Sequence, residues 1–470
     1  MPLRRTYQVH FVGIGGIGMS GIAEVLLNVG YRVSGSDLAA SETTLRLENL
    51  GARIAIGHAA DQVGAADAVV VSSAVTADNP EVVEARRRGV PVIQRAEMLA
   101  ELMRMKVAIC VAGSHGKTTT TSILGSVLAE GGLDPTMIIG GRLNSLGSNA
   151  RLGQSEYLVA EADESDGSFL KLTPTYGVIT NIDPEHLDHY GSVERLHAAF
   201  IEFANKVPFY GLVAVCIDHP VVQDILPHIG KRLVTYGLDA AADYRAVDLD
   251  FGPDCVRFDT YRGKRLLGPV ELKMIGEHNA LNALACIAVA DELQVPFDRV
   301  QAALERFEGI QRRFTQRGCA AGVTVVDDYG HHPVEIRATL AGARKAFSNR
   351  LLVVFQPHRY SRTRDLEREF HAAFDRADVL LVMDIYPAGE QPIEGVHARM
   401  LYRGIRNHGP RETHYIADRE HVVDWLLANV QPEDWVVTMG AGDVWRVGEE
   451  LLERLRRRED AQADGERGGS

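Results

Sequence analysis

Along the 470 residues, short apolar runs alternate with segments of helical periodicity, and this alternation starts afresh twice. In the first stretch, residues 7–13 (YQVHFVG), 31–37 (YRVSGSD), 66–75 (ADAVVVSSAV) and 91–94 (PVIQ) read as strands. Residues 17–30, 45–50 and 81–89 between them read as helices. A second stretch opens on the apolar run 106–113 (KVAICVAG) and enters a helix within 114–132. It continues with strands at 156–163, 176–183 and 212–218 and helices at 193–204 and 276–293. Residues 234–269 are richer in Asp, Arg and Gly with period-two pieces, which predicts an antiparallel edge. After a boundary near 307–314 (FEGIQRRF) the pattern restarts. Strands are expected at 323–330, 351–357, 379–386 and 434–442, with helices at 333–346, 365–377 and the C-terminus. Strands that alternate with helices predict parallel βαβ units with both sheet faces covered.

Composition narrows the picture. Hydrophobic residues make up 46% and charged residues 24%, the balance of a globular chain too long for one core. A net charge of −13 argues against nonspecific nucleic-acid binding, while leaving room for local basic pockets. Five scattered cysteines without a Cys-x-x-Cys pattern point to neither a disulfide framework nor a cysteine metal cage, and fit a reducing cytoplasm. No signal-peptide pattern and no apolar run of membrane-spanning length is seen, so membrane insertion is not expected.

Three places carry chemistry. Residues 13–18 (GIGGIG) follow a strand and open a helix, where glycines let backbone approach a diphosphate, and Asp37 closes the next strand. This pattern accepts NAD and a UDP-sugar equally well. Residues 113–118 (GSHGKT) form a short phosphate loop: Lys117 can reach β- and γ-phosphates and the Thr118 hydroxyl can ligate Mg²⁺. Val111 stands where the longer Walker pattern has glycine. Glu161, Asp163, Glu164 and Asp166 follow one strand, and His186 and Asp188 follow the next, which suggests a metal site beside the loop. Asn279 and Asn282, three apart on a helix, suit either a base edge or a helix cap. In the last stretch, residues 327–333 (DDYGHHP) and 356–362 (QPHRYSR) repeat the strand–loop–helix placement, with arginines suited to a carboxylate.

Taken together, GIGGIGMS, GSHGKTTTT, EADESD, NIDPEHLDHY, GEHNALNA, RRF, DDYGHHP and FQPHRYSRT, in this order, resemble the Mur ligases, ATP-dependent amino-acid ligases of peptidoglycan synthesis. The resemblance implies an α/β fold of three consecutive domains. These are a Rossmann-like UDP-sugar-binding domain (1–105), a P-loop-type central ATPase domain (106–310) and a Rossmann-like amino-acid-binding domain (311–456), before a charged flexible tail (457–470). It implies UDP-N-acetylmuramate, L-alanine and ATP as substrates, Mg²⁺ as cofactor, and a cytoplasmic monomer or homodimer. Gly15, Gly16, Ile17, Gly18, Asp37, Ser72 and Ser73 would hold the UDP-sugar. Gly113, Ser114, His115, Gly116, Lys117, Thr118 and Thr119 would hold ATP, with Asn279, Asn282, Arg313 and Asp328. Thr118, Glu161 and His186 would bind the metal; Lys117, Glu161, His186 and Arg313 would be catalytic; and Tyr329, His331, Arg359 and Arg362 would receive the amino acid. Other family members carry a carbamylated lysine about fifteen residues past the metal histidine. Here Phe200 and Ile201 stand in that region and the first lysine is Lys206, which favours the alanine-adding branch. A tripeptide-recycling ligase, an NAD-dependent dehydrogenase and a non-catalytic nucleotide sensor are the alternatives.

Overall fold

A computed structural model describes residues 7–72, 74–139, 150–410 and 412–467. The chain separates into two compact units, one of residues 1–248, 258–271 and 280–308, the other of 249–257, 272–279 and 309–470.

The first unit holds two sheets. The N-terminal one has five parallel strands in the order Arg53–Ile56, Arg32–Asp37, Gln8–Val12, Ala68–Val71, Val92–Gln94. Its central strand is almost wholly buried, with His10 hydrogen-bonded to Glu81, and Phe11 and Val12 have no exposed surface. The second sheet has ten strands, and Val107–Ala112 runs through its middle. That strand pairs in parallel with Tyr157–Glu161 on one side and Tyr176–Ile179 on the other. Parallel pairing puts the carboxyl ends of all three strands together, so the acidic loops after 161 and 179 flank the phosphate loop after 112. The period-two region forms the strands Tyr244–Phe251, Val256–Arg262 and Arg265–Leu272 at one edge.

Helix Val193–Asn205 carries the stretch expected to lack a carbamylated lysine. Phe200 is fully buried there, edge-on to Phe169 at 5.4 Å.

In the second unit a six-stranded sheet runs Thr315–Ala320, Val323–Asp328, Trp435–Met439, Leu351–Phe355, Val379–Val382, Glu412–Tyr415. Only the first pair is antiparallel; the other pairings are parallel. Helix Pro333–Ala346 has the expected bounds, with Pro at its first turn and a capping box between His332 and Glu335. The helix expected over 365–377 is instead two short ones, Tyr360–Asp365 and Glu367–His371. They are broken at Leu366, whose φ of −113° and ψ of 20° leave the helical region. The last helix, Trp445–Arg467, continues through charged residues expected to be flexible, where (i, i+4) ion pairs such as Arg457–Glu453 support it.

Candidate active site

The buried strand Val107–Ala112 delivers the chain into Gly113–Gly116, and helix Lys117–Glu130 follows. Two glycines are demanded by geometry. Gly113 has φ +137°, and a Cβ there would lie 2.0 Å from Thr180 Oγ1. Gly116 caps the helix at φ 82°, and its Cβ would lie 2.8 Å from Asn282 Oδ1.

The loop is strapped to the segment after strand Tyr176–Ile179. Ser114 N donates to the Asn181 carbonyl (3.1 Å) and His115 N to Asn181 Oδ1 (2.8 Å). Thr180 Oγ1 and Asn181 Nδ2 donate to the His115 carbonyl at 2.6 and 3.1 Å. Asp183 lies 3.2 Å from His115 Nε2 and 3.4 Å from His219 Nε2. Burial opposes its charge, but these two imidazoles hold the Asp183 carboxyl well below the usual range. The phosphate loop is thus tied to the neighbouring segment, and the first turn of its helix offers N–H groups to an anion.

Lys117 closes the loop. Its Nζ donates to the carbonyls of Gly113 (2.6 Å) and Ser114 (3.0 Å) and to the buried Glu164 carboxylate (2.9 Å). Burial works against the ammonium, yet Glu164 and Asp163 outweigh it and hold Lys117 above the ordinary lysine range. Thr118 Oγ1 donates to Glu161 Oε2 at 3.2 Å, so two of the expected metal residues meet. His186 is found with Glu164 and Glu185, their ligand atoms all within 4.8 Å of one another. Two carboxylates and an imidazole at that spacing suit a divalent cation, the oxygens being the hard donors Mg²⁺ prefers. Asp188, by contrast, is exposed on the short helix Leu187–Tyr190. Asn181, Asp183 and Glu185 lie within NIDPEHLDHY but had no expected role, and Thr180 and His219 lie outside the motifs. The signal was present, because the first four follow a strand beside the phosphate loop.

Asn282 sits behind the loop, its Oδ1 accepting from Thr120 Oγ1 at 3.1 Å. Asn279 Nδ2 donates to the Ile275 carbonyl at 2.8 Å, a bond to the segment before the helix rather than one accepted from helix-start N–H groups. Thr119 is buried.

At the N-terminal sheet, Gly13 N and Ile14 N donate to the Ser36 carbonyl, Gly16 N to Gly13 O, and Gly15 N to Asp37 Oδ2 at 2.7 Å. Asp37 therefore shapes the glycine loop. Gly18 lies in the helix Ile17–Asn28, and Ser72 follows strand Ala68–Val71. The Ile17 side chain and Ser73 lie outside the described residues.

In the second unit, Arg312 and Arg313 lie 5.1 and 5.5 Å from the Tyr329 ring centre. Tyr329 meets His331 edge-on at 5.3 Å, His331 lies 5.7 Å from His358, and Arg362 Nη1 is 3.4 Å from His358 Nδ1. Three of the four residues expected around the amino acid are thus gathered; Arg359, at φ 72°, starts the helix that carries Arg362. Asp328 is buried, accepts from Phe314 N and Gly330 N (2.8 Å each), and is pushed up to about 6 by burial.

His358 stacks on Tyr386 and is pushed down to about 3 by burial, then by His331, Arg362 and Arg359. An ordinary histidine takes its proton near 6.5, so below that pH the unfolded chain binds a proton the folded one refuses. The stability His358 contributes is present above 6.5 and drains away as pH falls toward 3. All three tryptophans, Trp425, Trp435 and Trp445, belong to this unit, so tryptophan fluorescence follows its unfolding. Unfolding free energies from urea titrations should fall more steeply between pH 7.5 and 4.5 for the wild type than for His358→Gln.

A strapped phosphate loop in a parallel sheet, carboxylates beside it, and a separate glycine loop define an α/β nucleotide-binding enzyme. Family models agree along nearly the whole chain. Residues 8–107 match the Mur ligase family catalytic domain, 111–290 the Mur ligase middle domain, and 312–442 the Mur ligase glutamate ligase domain. The chain belongs to the Mur ligase family, whose members are ATP-dependent ligases. It is 58% identical to the UDP-N-acetylmuramate–L-alanine ligase of Geotalea uraniireducens, over 96% of this chain and 98% of that one. The same identity holds with the enzyme of that name from Anaeromyxobacter dehalogenans strain 2CP-1, over 96% and 99%. Among solved structures, a UDP-N-acetylmuramate–alanine ligase from Thermotoga maritima is similar with a TM-score of 0.80 and 31% identity, covering 96% of this chain and 99% of that one. Among the described residues no helix is long and apolar enough to cross a membrane.

Proposed function

We infer that this chain joins L-alanine to the carboxylate of UDP-N-acetylmuramate at the expense of ATP, in peptidoglycan precursor synthesis. The observation that carries this is the 58% identity, over nearly full length, to enzymes named for that reaction. The Lys117 loop supplies the matching chemistry.

In this reading residues 1–105 hold the UDP-sugar, 106–310 hold ATP and 311–456 hold the amino acid, and the scattered cysteines suit a cytoplasmic enzyme. The muramoyl carboxylate attacks the γ-phosphorus of ATP and ADP leaves, giving an acyl phosphate. The alanine amine then attacks the acyl carbon, an amide forms, inorganic phosphate departs and the amine loses a proton. Lys117 and the helix start behind it neutralise charge on the transferring phosphoryl group, and the strapped loop keeps it in line. Thr118, Glu161, Glu164, Glu185 and His186 would hold Mg²⁺, which supplies charge neutralisation at the phosphates when bound. Asn279, Asn282, Arg313 and Asp328 would serve the nucleotide. Tyr329, His331, Arg359 and Arg362 would receive the amino acid, the guanidinium groups matching its carboxylate.

Phosphate release should require ATP, Mg²⁺, UDP-N-acetylmuramate and an amine together, with L-alanine preferred over glycine, L-serine and a cell-wall tripeptide. Preference for the tripeptide, or ATP turnover without the nucleotide sugar, would overturn the assignment. His186→Ala should raise the Mg²⁺ concentration for half-maximal rate by about 10-fold or more.

A further inference from the structure

The registers of the N-terminal sheet align Val12, Val71 and Gln94 at one level. The residues that follow, Gly13, Ser72 and Arg95, therefore leave the sheet side by side at its carboxyl edge. Gly13 opens the glycine loop and Ser72 belongs to the expected UDP-sugar site; Arg95 was attached to nothing. Its guanidinium lies against the glycine loop's helix: a Cβ on Gly18 would stand 3.0 Å from Arg95 Cδ and 3.1 Å from Nη1. The last glycine of the fingerprint thus leaves space for an arginine side chain.

Charge makes this placement informative. The N–H groups of Gly13, Ile14, Gly15 and Gly16 donate to the Ser36 carbonyl, Asp37 and Gly13 O. Asp37 adds a carboxylate to the loop itself. A diphosphate brought here needs a positive group beyond the backbone, and Arg95 stands at the spot. Its partner is Asp163 at 3.9 Å, an ion pair in which the carboxylate side chain is 46% exposed. Such a solvated pair is weak, so exchanging it for charge-assisted bonds to phosphate is favourable. The arginine is also well anchored. It opens helix Arg95–Met103, whose start is fixed by a 2.7 Å bond from Gln94 N to Glu97, and Glu97 in turn pairs with Lys171 at 3.0 Å.

We propose that Arg95 is a substrate-binding residue whose guanidinium takes the diphosphate of the nucleotide sugar, beside Gly18. This rests on the proposed function and adds a residue that none of the sequence motifs contains. The test is calorimetric titration of wild type, Arg95→Ala and Arg95→Lys with UDP, UDP-N-acetylmuramate and a non-hydrolysable ATP analogue, alongside thermal melting of each variant. Arg95→Ala should weaken UDP and UDP-N-acetylmuramate alike by about 10- to 100-fold, with the ATP analogue and the melting temperature unchanged. Arg95→Lys should lose less, because it keeps the charge but not the planar fork. Unchanged UDP affinity in Arg95→Ala overturns the proposal. So does a loss confined to UDP-N-acetylmuramate, which would move Arg95 to the muramoyl carboxylate. An equal loss for the ATP analogue also overturns it. A wild type that does not bind UDP at all brings down the proposed function, and this inference with it.

Discussion

Lys117→Ala is expected to abolish phosphate release, lowering kcat by about 10³-fold or more, while leaving UDP-N-acetylmuramate affinity within about twofold of wild type. The ammonium bridges two loop carbonyls and the buried Glu164, so removing it takes away the loop's positive charge and leaves a carboxylate without its cation. An unpartnered buried charge costs about 3–5 kcal/mol, so the variant should also melt earlier. The double variant Lys117→Ala/Glu164→Gln separates the two effects. It should regain much of the stability and none of the turnover. Single-turnover phosphate release and calorimetric titration together decide the matter, and retained turnover in either variant would refute the role given to Lys117.

Gly113→Ala should be nearly as damaging without touching a charged group. Alanine is strained at φ +137°, and its methyl would overlap Thr180 Oγ1 at 2.0 Å, with the Thr180 nitrogen and the Asn181 carbonyl oxygen 3.1 Å away. Backbone strain of about 1–3 kcal/mol adds to the overlap, and the segment that must shift also carries Asn181, Asp183, Glu185 and His186. Stability should fall by about 3 kcal/mol or more and ATP affinity by about 10-fold or more. Thr180→Ala removes the nearest atom at the loss of its bond to the His115 carbonyl. Combined with Gly113→Ala it should be less harmful than the sum of the two, by at least about 1 kcal/mol. Strict additivity in urea unfolding would show that the two residues do not meet.

Much of this was legible in the sequence because the signals are local. A buried strand must be apolar, a helix must keep a 3.6-residue period, and a phosphate loop must carry small residues before a lysine. Patterns of this kind mark the central strands of the three sheets and the loop at 113–118, but not edge strands such as Arg53–Ile56, Thr315–Ala320 and Glu412–Tyr415. Harder to read were elements whose limits depend on packing. The break at Leu366 splits a helix whose periodicity is continuous, and the terminal helix persists to Arg467 through residues of disordered composition. Site residues divide in the same way. Lys117 and Thr118 belong to a motif with its own mechanism, whereas Glu164 was one acid among four until the fold placed it on the lysine. Asp37 kept its expected position at the end of a strand, yet its carboxylate binds Gly15 N.

The sequence by itself determined the α/β alternation, the two glycine-bearing loops and the absence of a lysine from the aromatic stretch of helix Val193–Asn205. Each follows from residue types at fixed spacing along one segment. Only the tertiary structure decided which acids stand beside the phosphate loop, that Thr180 and Asn181 hold it shut, and that Arg95 lies across Gly18. Those contacts join residues 47 to 77 positions apart, and parallel strand order, which no local pattern encodes, brings them together.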